Sequence, residues 1–333
     1  MKVVVLGCGS MGSVHANAYS RMPDVTLAGV CDTNASLAQR LALQAGTEHY
    51  ESFEHMMDTV QPDVISVALP TPYHKEYVLK AAERGCHVIC EKPIAPTAED
   101  AEEMIQACRK HGVRLFIGHV VRFFPEYSDA AKRARSGAIG NVGVVHAKRI
   151  GSHPGDVIPW YADRAASGGV IMDLMIHDID YMRGLFGDVK SVYALNRTGP
   201  SIDYALVTLR FRDHPAIVHL EGHWGYPGPF TTAVEMAGSS GVVRFDSSLS
   251  RSLHVQQSAA AAALKAVEVP RSPSYRNPYE VELSHFIACI RSGEEAAVTA
   301  EDAKKAVEIA IAAKKSASIG QPVLLEREHG EEQ

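Results

Sequence analysis

Short apolar runs recur through the first 120 residues, and amphipathic segments separate them. Each run is almost continuously hydrophobic, which is typical of parallel strands covered on both faces. Asn34 and Thr97 precede two of the amphipathic segments and stand where helix N-caps are expected. Strands are predicted at 2–6, 25–30, 63–69, 87–90 and 114–120, and helices at 11–21, 34–45, 73–84 and 97–111. This alternation predicts an α/β domain with a doubly wound parallel sheet.

The pattern changes after about residue 120. Several short strand-like runs lie between 188 and 246, with turn signals such as "DHP" and "GSSG" between them. Such spacing favours hairpins and an antiparallel sheet. Around them are predicted a helix at 126–136, a strand at 142–150, a loop at 151–168, an apolar helix at 170–186, and helices at 278–291 and 300–317. We therefore expect two domains, 1–120 and 121–333.

Two segments of the second half are less defined by their pattern. The alanine-rich segment 258–266 fits a helix or a strand. The charged tail from 326 to 333 is expected to be solvated and partly mobile.

The first predicted strand runs directly into a glycine-rich turn, "GCGSMG". Gly7, Gly9 and Gly12 have the spacing of a dinucleotide-binding loop, and Ser10 and Met11 lie where its helix begins. In such a loop the helix N-terminus supplies amide donors and partial positive charge for phosphate groups. The residues therefore predict a site for the pyrophosphate of a dinucleotide.

Asp32 ends the second predicted strand, about 20 residues after the last glycine of the loop. A carboxylate there accepts hydrogen bonds from a ribose 2′-hydroxyl and repels a 2′-phosphate, which favours NAD over NADP. Two alternatives remain on these residues alone. Asp32 caps the following helix, or the loop binds S-adenosylmethionine, whose binding folds also place an acid here.

The fourth predicted strand ends in charge, with "VICEKP" at residues 88–93. Pro93 favours an extended backbone at Lys92 and so gives the lysine a defined direction. The alternative is an ordinary strand exit with two solvated charges.

The apolar helix predicted at 170–186 carries Asp173, His177 and Asp180 at positions i, i+4 and i+7. In a continuous helix this spacing places all three on one face. Buried polar groups are costly unless they are paired, so the stripe indicates either a paired core histidine or a general base with an orienting carboxylate. A metal site is a third interpretation, weakened by the single histidine and by the positive charge of Lys92.

Composition and charge remove several classes of function. The net charge of −6 gives no reason to expect nucleic acid or an acidic membrane as a partner. No apolar run reaches the roughly 18 residues of a membrane span, and no secretory signal is recognisable, so we expect a cytoplasmic protein. The six cysteines form no Cys-x-x-Cys pair, and Cys86, His87 and Cys90 would not share one face of a strand, so no metal is predicted.

Three motifs together resemble one family: the N-terminal glycine loop, "EKP" after the fourth predicted strand, and "SGGVIMDLMIHDID" in the second domain. They resemble the Gfo/Idh/MocA oxidoreductases, the group of glucose–fructose oxidoreductase and inositol dehydrogenase. The resemblance continues through "GSVHANAY", "ALPTPYH", "GHVVRFFPEY" and "VTAEDAKKAVEIAIAAKKSASIGQPV". It implies a Rossmann domain and an α/β domain whose large open sheet is mixed or mostly antiparallel. It also implies a homodimer or homotetramer that associates through that sheet.

The resemblance further implies NAD-dependent oxidation or reduction of a sugar or cyclitol. His177 would take the hydroxyl proton, Lys92 would stabilise the developing alkoxide, and Asp173 would orient these groups, while Asp180 would touch the substrate. Further cofactor contacts are implied at Leu69, Pro70, Thr71, His74, Glu91 and Lys92. The second domain departs from the family pattern at Val170, where a third glycine is frequent, and the junction departs at His119.

Substrate contacts are expected at the domain junction and in the loop before the apolar helix. These residues offer hydrogen bonds and a stacking face suited to a polyol: Arg122, His153, Asp156, Trp160 and Arg164. Two other functions remain open at this point. One is an NADP-dependent keto-sugar reductase, which Asp32 disfavours, and the other is a non-catalytic dinucleotide-binding regulator, which has no use for Lys92, Asp173 and His177.

Overall fold

The computed structural model describes residues 1–249 and 276–326. These residues form two compact units, one of 1–123 and 276–304 and the other of 124–249 and 305–326. The undecided segment 258–266 and the tail from 327 onward lie outside the described residues. Across the described ranges, no helix combines the length and apolar character needed to cross a membrane.

A six-stranded sheet forms the first unit, and every neighbouring pair in it is parallel. The strand order is β3-β2-β1-β4-β5-β6, so the chain adds strands on one side of β1 as far as β3 and then adds β4 to β6 on the other side. In such sheets ligands bind at the carboxyl ends of the strands where the order of addition changes side. The strands are β1 (Lys2–Leu6), β2 (Thr26–Cys31), β3 (His49–Tyr50), β4 (Val64–Val67), β5 (His87–Glu91) and β6 (Leu115–Gly118). The predicted doubly wound parallel sheet is confirmed.

Helices alternate with these strands: α1 (Ser10–Tyr19), α2 (Ala35–Ala45), α3 (Phe53–Val60), α4 (His74–Glu83) and α5 (Ala98–Lys110). Asn34 and Thr97 cap α2 and α5 through their side chains, as predicted. Both β3 and α3 were missed, so the strand that leads to Lys92 is the fifth and not the fourth. Strand β3 has two residues, too few to show a period. Helix α3 does show helical spacing, because the residues it buries are Phe53, Met56, Met57 and Val60, so that signal was available in the sequence.

The second unit contains a seven-stranded sheet of order β12-β11-β7-β10-β9-β8-β13. Its neighbours are antiparallel except β7 and β10, which pair in parallel, so the predicted mixed, mostly antiparallel sheet is confirmed. The strands are β7 (Val142–Gly151), β8 (Val189–Gly199), β9 (Ile202–Phe211), β10 (Ile217–Trp224), β11 (Thr231–Gly238), β12 (Gly241–Asp246) and β13 (Val323–Leu324). Burial alternates along β9 and β10, so that one face lies in the core and the other is more exposed.

The α-helices that follow residue 124 in the sequence are α6 (Pro125–Arg135), α7 (Arg164–Ser167), α8 (Gly169–Asp173), α9 (Ile176–Phe186), α10 (Pro278–Ser292) and α11 (Ala300–Ile319). The predicted boundary at residue 120 assigned α10 to the second domain, and the structure places it in the first unit. Phe286 of α10 stacks on Phe116 of β6, with ring centroids 5.0 Å apart, and joins the same hydrophobic core as Val3 and Ala16. The reason is long-range packing, which a linear pattern does not show.

Candidate active site

Two of the three glycines of the N-terminal loop are required by close approach of the backbone, and the third leaves open space. Gly7 has φ +94° and lies against Ala68, whose carbonyl oxygen would be 2.4 Å from an added Cβ. A Cβ on Gly12 would lie 1.7 Å from the Gly7 carbonyl oxygen, so only glycine lets α1 start this close to the loop. An added Cβ on Gly9 meets nothing within 4 Å among the described residues, which leaves open space above the loop.

Helix α1 begins at Ser10 beside that open space. Within the described chain, no side chain caps its first turn. The amides of a helix's first turn lack intrahelical partners, and those of Ser10 and Met11 belong to this group. An open glycine and uncapped helix amides fit the pyrophosphate of a dinucleotide.

Asp32 is half-buried at the end of β2 and is tied to the glycine loop. Its Oδ2 accepts from the amide of Cys8 at 2.8 Å, and its Oδ1 accepts from the amide of Asn34 at 2.8 Å. Asn34, and not Asp32, caps α2, because its side chain accepts from the amides of Ser36 and Leu37. The helix-capping alternative for Asp32 is therefore wrong, and its position beside the loop fits a ribose hydroxyl.

The segment after β4 turns at Leu69, Pro70 and Thr71 and leads into α4. His74 is fully buried there, with Nδ1 2.8 Å from the Pro93 carbonyl oxygen and Nε2 2.8 Å from the Leu69 carbonyl oxygen. Burial lowers the pKa of His74 below its ordinary value, although the two carbonyl groups oppose this effect. The predicted cofactor contact of His74 remains a prediction. A neutral imidazole has one N–H, so the His74 ring donates to one of these two carbonyl oxygens and lies against the other. It holds the Leu69 and Pro93 segments together.

Lys92 directly follows β5, and the Lys92–Pro93 peptide bond is cis. The preceding Glu91, predicted to contact the cofactor, is buried, and its Oε2 accepts from the Lys92 amide at 3.2 Å. Its Oε1 lies 3.0 Å from Nε2 of His15, a residue on α1. Burial raises the pKa of Glu91, but the His15 hydrogen bond and the nearby positive charges outweigh burial and hold it below its ordinary value.

Cys86 directly precedes β5, and His87 and Cys90 lie within it. Burial raises the pKa of Cys86 to about 12 and that of Cys90 well above its ordinary value, so both remain thiols. The His87 Nδ1 accepts from the Arg114 amide at 3.0 Å. Buried thiols and an engaged ring nitrogen fit the predicted structural role of these residues.

The predicted continuous helix over 170–186 is interrupted. The amide of Met175 donates to the Val170 carbonyl oxygen at 2.9 Å, five residues back, and the regular ladder resumes only at Ile179. This wide turn ends α8 at Asp173 and separates it from α9, where His177 and Asp180 lie. The predicted continuous helix is therefore wrong, and because a wide turn shifts the phase of the residues that follow, spacing alone no longer places Asp173 on the face of His177 and Asp180. A pairing of Asp173 with His177 remains a prediction. Asp173 and Asp180 are buried and His177 is half-buried.

Two residues that sequence reasoning missed hold these helices. Asp203 of β9 accepts from the Val170 amide in the first turn of α8, at 3.0 Å. Asp178, next to His177, forms a buried two-bonded ion pair with Arg149 of β7, at 2.8 and 2.9 Å. Neither pairing follows from spacing, because each joins a helix to a distant strand.

The predicted substrate residues occupy different environments. Arg122 donates to the Ala297 carbonyl oxygen at 2.9 Å and lies 3.4 Å from Asp302, within the first unit. In the second unit, His153 lies edge-on to Trp224 at a centroid distance of 5.3 Å, and Trp160 stacks on Tyr161 at 4.1 Å. Tyr161 also lies edge-on to Trp224 at 5.9 Å, so these rings form one aromatic cluster.

Two further predicted residues are exposed, and one lies in the core. Asp156 and Arg164 are both exposed, and Arg164 donates to the side chain of Asn196 at 3.2 Å. His119 is fully buried. Tyr161 and Trp224 belong to the aromatic cluster without having been predicted, and their aromatic character was the available signal.

The comparisons with known proteins cover both units. Residues 1–119 match the Gfo/Idh/MocA oxidoreductase family, NAD-binding Rossmann fold, and residues 132–325 match the C-terminal α/β domain of the same family. The chain is 29% identical to the myo-inositol 2-dehydrogenase of Thermotoga maritima, over 98% of this chain and 99% of that protein. It is also 29% identical to the scyllo-inositol 2-dehydrogenase (NAD(+)) of Bacillus subtilis, over 98% and 96% of the two chains.

A solved structure agrees with the fold. The crystal structure of GenD2 from gentamicin A biosynthesis, in complex with NAD, superimposes with a TM-score of 0.88. It covers 98% of this chain and 97% of its own, at 24% identity, and so bears on the fold alone. Two family models that together span most of the sequence establish that this chain is a member of the Gfo/Idh/MocA oxidoreductases, with an NAD-binding Rossmann domain at its N-terminus.

Proposed function

We propose that this protein oxidises a secondary hydroxyl group of a cyclic polyol or pyranose, with NAD as the hydride acceptor. The observation that carries the substrate class is the match to two inositol 2-dehydrogenases along 98% of this chain. Asp32 supports NAD as the cofactor, because its carboxylate lies beside the glycine loop and would repel a 2′-phosphate.

The proposed chemistry divides between three side chains. Bound NAD supplies the carbon that accepts the hydride. His177, in the first turn of α9, takes the proton of the substrate hydroxyl as a neutral imidazole. The Lys92 ammonium stabilises the negative charge that develops on the same oxygen, a contribution of roughly 3–4 kcal/mol in comparable oxyanion sites. Asp173, at the end of α8, orients these groups, and Asp180 holds a substrate hydroxyl.

Substrate recognition is proposed to rest on the loop from 151 to 168. Its aromatic cluster offers apolar ring faces for the C–H face of a saturated ring, and His153 and Asp156 offer hydrogen-bonding groups. Arg122 already donates within the first unit, so its proposed role is weaker. This mixture suits a neutral polyol.

The protein is proposed to associate as a dimer, or as a tetramer of dimers, through the more exposed face of the seven-stranded sheet. That face carries large apolar side chains with substantial exposure, at Tyr193, Leu195, Leu206 and Ile217. Leu195 and Leu206 are direct partners across β8 and β9, and exposed apolar surface of this kind is typical of an interface. Light scattering at micromolar concentration should find a dimer or tetramer, and a monomer would contradict the proposal.

The function is tested by following absorbance of reduced nicotinamide with myo-inositol, scyllo-inositol, glucose and methyl glucoside, each with NAD and with NADP. Lys92→Ala and His177→Ala should each lower kcat at least 100-fold, about 2.7 kcal/mol, while NADH still binds in a fluorescence titration. Lys110→Ala, which removes an exposed lysine of the same unit, serves as the control and should leave kcat unchanged.

Each unexpected result has a definite meaning. Near-normal turnover in Lys92→Ala or His177→Ala would remove the role given to that residue. Turnover of none of the four compounds by protein that binds NADH would refute the substrate class and favour a non-catalytic regulator. Better use of NADP than of NAD would refute the role of Asp32.

A further inference from the structure

Buried hydrogen bonds join helix α1 to the strand end that carries Lys92. His15 of α1 is fully buried, with Nδ1 2.6 Å from Ser66 Oγ and Nε2 3.0 Å from Glu91 Oε1. The second carboxylate oxygen of Glu91 accepts from the Lys92 amide at 3.2 Å. Because the glycine loop opens α1, this row connects the dinucleotide-binding helix to Lys92.

The donors and acceptors in the row determine where the protons lie. An ionised Glu91 carboxylate only accepts, so Nε2 of His15 must carry a proton and donate it. The Tyr19 hydroxyl donates to Ser66 Oγ at 3.3 Å, which lets Ser66 give its own proton to Nδ1 of His15. This assignment uses each donor once and places on Nε2 of His15 the proton that the Glu91 carboxylate requires.

The surroundings leave the Glu91 carboxylate little freedom. Ser66 and His15 are fully buried and Glu91 is nearly so. Across from the carboxylate, a Cβ on Gly118 would lie 3.3 Å from Oε1 and 3.4 Å from Cδ, so even alanine would crowd it. A carboxylate buried in this way depends on its donors, because water does not replace a lost one.

We propose that His15 is a positioning residue for Lys92. Its Nε2–H holds one oxygen of the Glu91 carboxylate, and the other oxygen fixes the backbone amide of Lys92. The inference rests on the proposed role of Lys92 in the reaction, and it adds a residue of the dinucleotide-binding helix to that role. It requires no contact between His15 and either substrate or cofactor.

The test compares two substitutions that each keep one half of the imidazole. His15→Asn retains a polar group near the position of Nδ1 for Ser66 and loses the donor to Glu91, whereas His15→Gln places an amide nitrogen near the position of Nε2. His15→Asn should lower kcat about 10- to 100-fold, because small displacements of a catalytic group have effects of that size. The Kd for NADH should change less than about 3-fold, and His15→Gln should recover most of the lost kcat.

A matched control separates positioning from loss of stability. Thr47→Val removes another side-chain hydrogen bond of the first unit, the 2.8 Å bond from Thr47 to the Leu27 carbonyl oxygen, with little change of shape. It should lower the unfolding midpoint and leave kcat unchanged. Unchanged kcat in His15→Asn, or a loss of NADH binding that parallels the loss of kcat, would overturn the proposal.

Two further measurements keep the outcomes distinct. Lys92→Ala with normal turnover would refute the proposed role of Lys92, on which this inference rests, whereas an inactive Lys92→Ala beside a fully active His15→Asn refutes only the role of His15. In unaltered protein labelled with ¹⁵N-histidine, NMR should show the His15 proton on Nε2. A proton on Nδ1 alone would overturn the proposal whether or not the variants fold.

Discussion

Removing one partner of the buried ion pair between Arg149 and Asp178 should destabilise the second unit far more than replacing both. The guanidinium donates two parallel hydrogen bonds to the carboxylate, at 2.8 and 2.9 Å, and its Nη2 also lies 3.0 Å from the Tyr127 hydroxyl. Arg149 is 6% exposed and Asp178 is 2% exposed. Water therefore cannot solvate whichever charge remains after a single substitution.

The expected magnitudes follow from this burial. Arg149→Met or Asp178→Leu alone leaves a buried charge without its partner, which costs about 3–5 kcal/mol of unfolding free energy. Replacing both removes both desolvation penalties, so the double variant should be within about 2 kcal/mol of the unaltered protein. The difference between the double variant and the sum of the singles should then be on the order of 4 kcal/mol or more.

The assay is urea unfolding followed by tryptophan fluorescence. Both tryptophans, Trp160 and Trp224, belong to the second unit, so the signal reports on the unit that holds the ion pair. The control is the pair Arg133–Asp129 on α6, with side chains 56% and 61% exposed, where Arg133→Met should cost no more than about 1 kcal/mol. If Arg149→Met costs no more than Arg133→Met, the reasoning from burial is refuted.

Three further predictions concern single positions. Asp32→Ser should lower kcat/KM for NAD about 10- to 100-fold, because a charged hydrogen bond is worth about 1.5–3 kcal/mol, and it should raise kcat/KM for NADP. If an assay with both cofactors finds the same preference for NAD over NADP as in the unaltered protein, the role of Asp32 is contradicted. Burial lowers the pKa of His74 below its ordinary value of 6.5, so below that pH the unfolded chain takes up a proton on His74 that the folded chain does not. The contribution of His74 to the free energy of unfolding is therefore complete above pH 6.5, and it is lost on acidification by up to about 1.4 kcal/mol per pH unit. His74→Gln should remove that slope in urea unfolding followed by circular dichroism between pH 7 and 5, and an equal slope in both proteins would refute it. Gly169→Ala should lower the free energy of unfolding by at least about 2 kcal/mol, because φ is +76° and the new Cβ would lie 2.6 Å from the buried carboxylate of Asp203. An unchanged midpoint of thermal unfolding would contradict this and show that the Asp203 side chain moves aside.

The first unit was largely predictable because its signals are local. The glycine spacing, the following helix and Asp32 lie within one β-α-β segment, and each position is determined by the chain immediately around it. The role of His15 was not predictable in the same way. Its two hydrogen bonds reach Ser66 and Glu91, 51 and 76 residues away, and nothing in "GSVHANAY" indicates them.

The break between α8 and α9 shows why periodicity predicted one helix where the structure has two. A prediction from periodicity assumes one continuous ladder of helical hydrogen bonds, and the spacing of the apolar residues from Val170 to Met182 is compatible with one continuous helix. The inserted turn at Met175 obeys a different constraint: the Val170 amide is tied to Asp203 of β9, and Asp178 is tied to Arg149 of β7. Two helical segments, each anchored by its own buried carboxylate to a different strand, need not keep a common phase. The orientation of His177 relative to Asp173 therefore depends on how each segment is anchored to the sheet, and the spacing of the two residues in the sequence carries no record of those anchors.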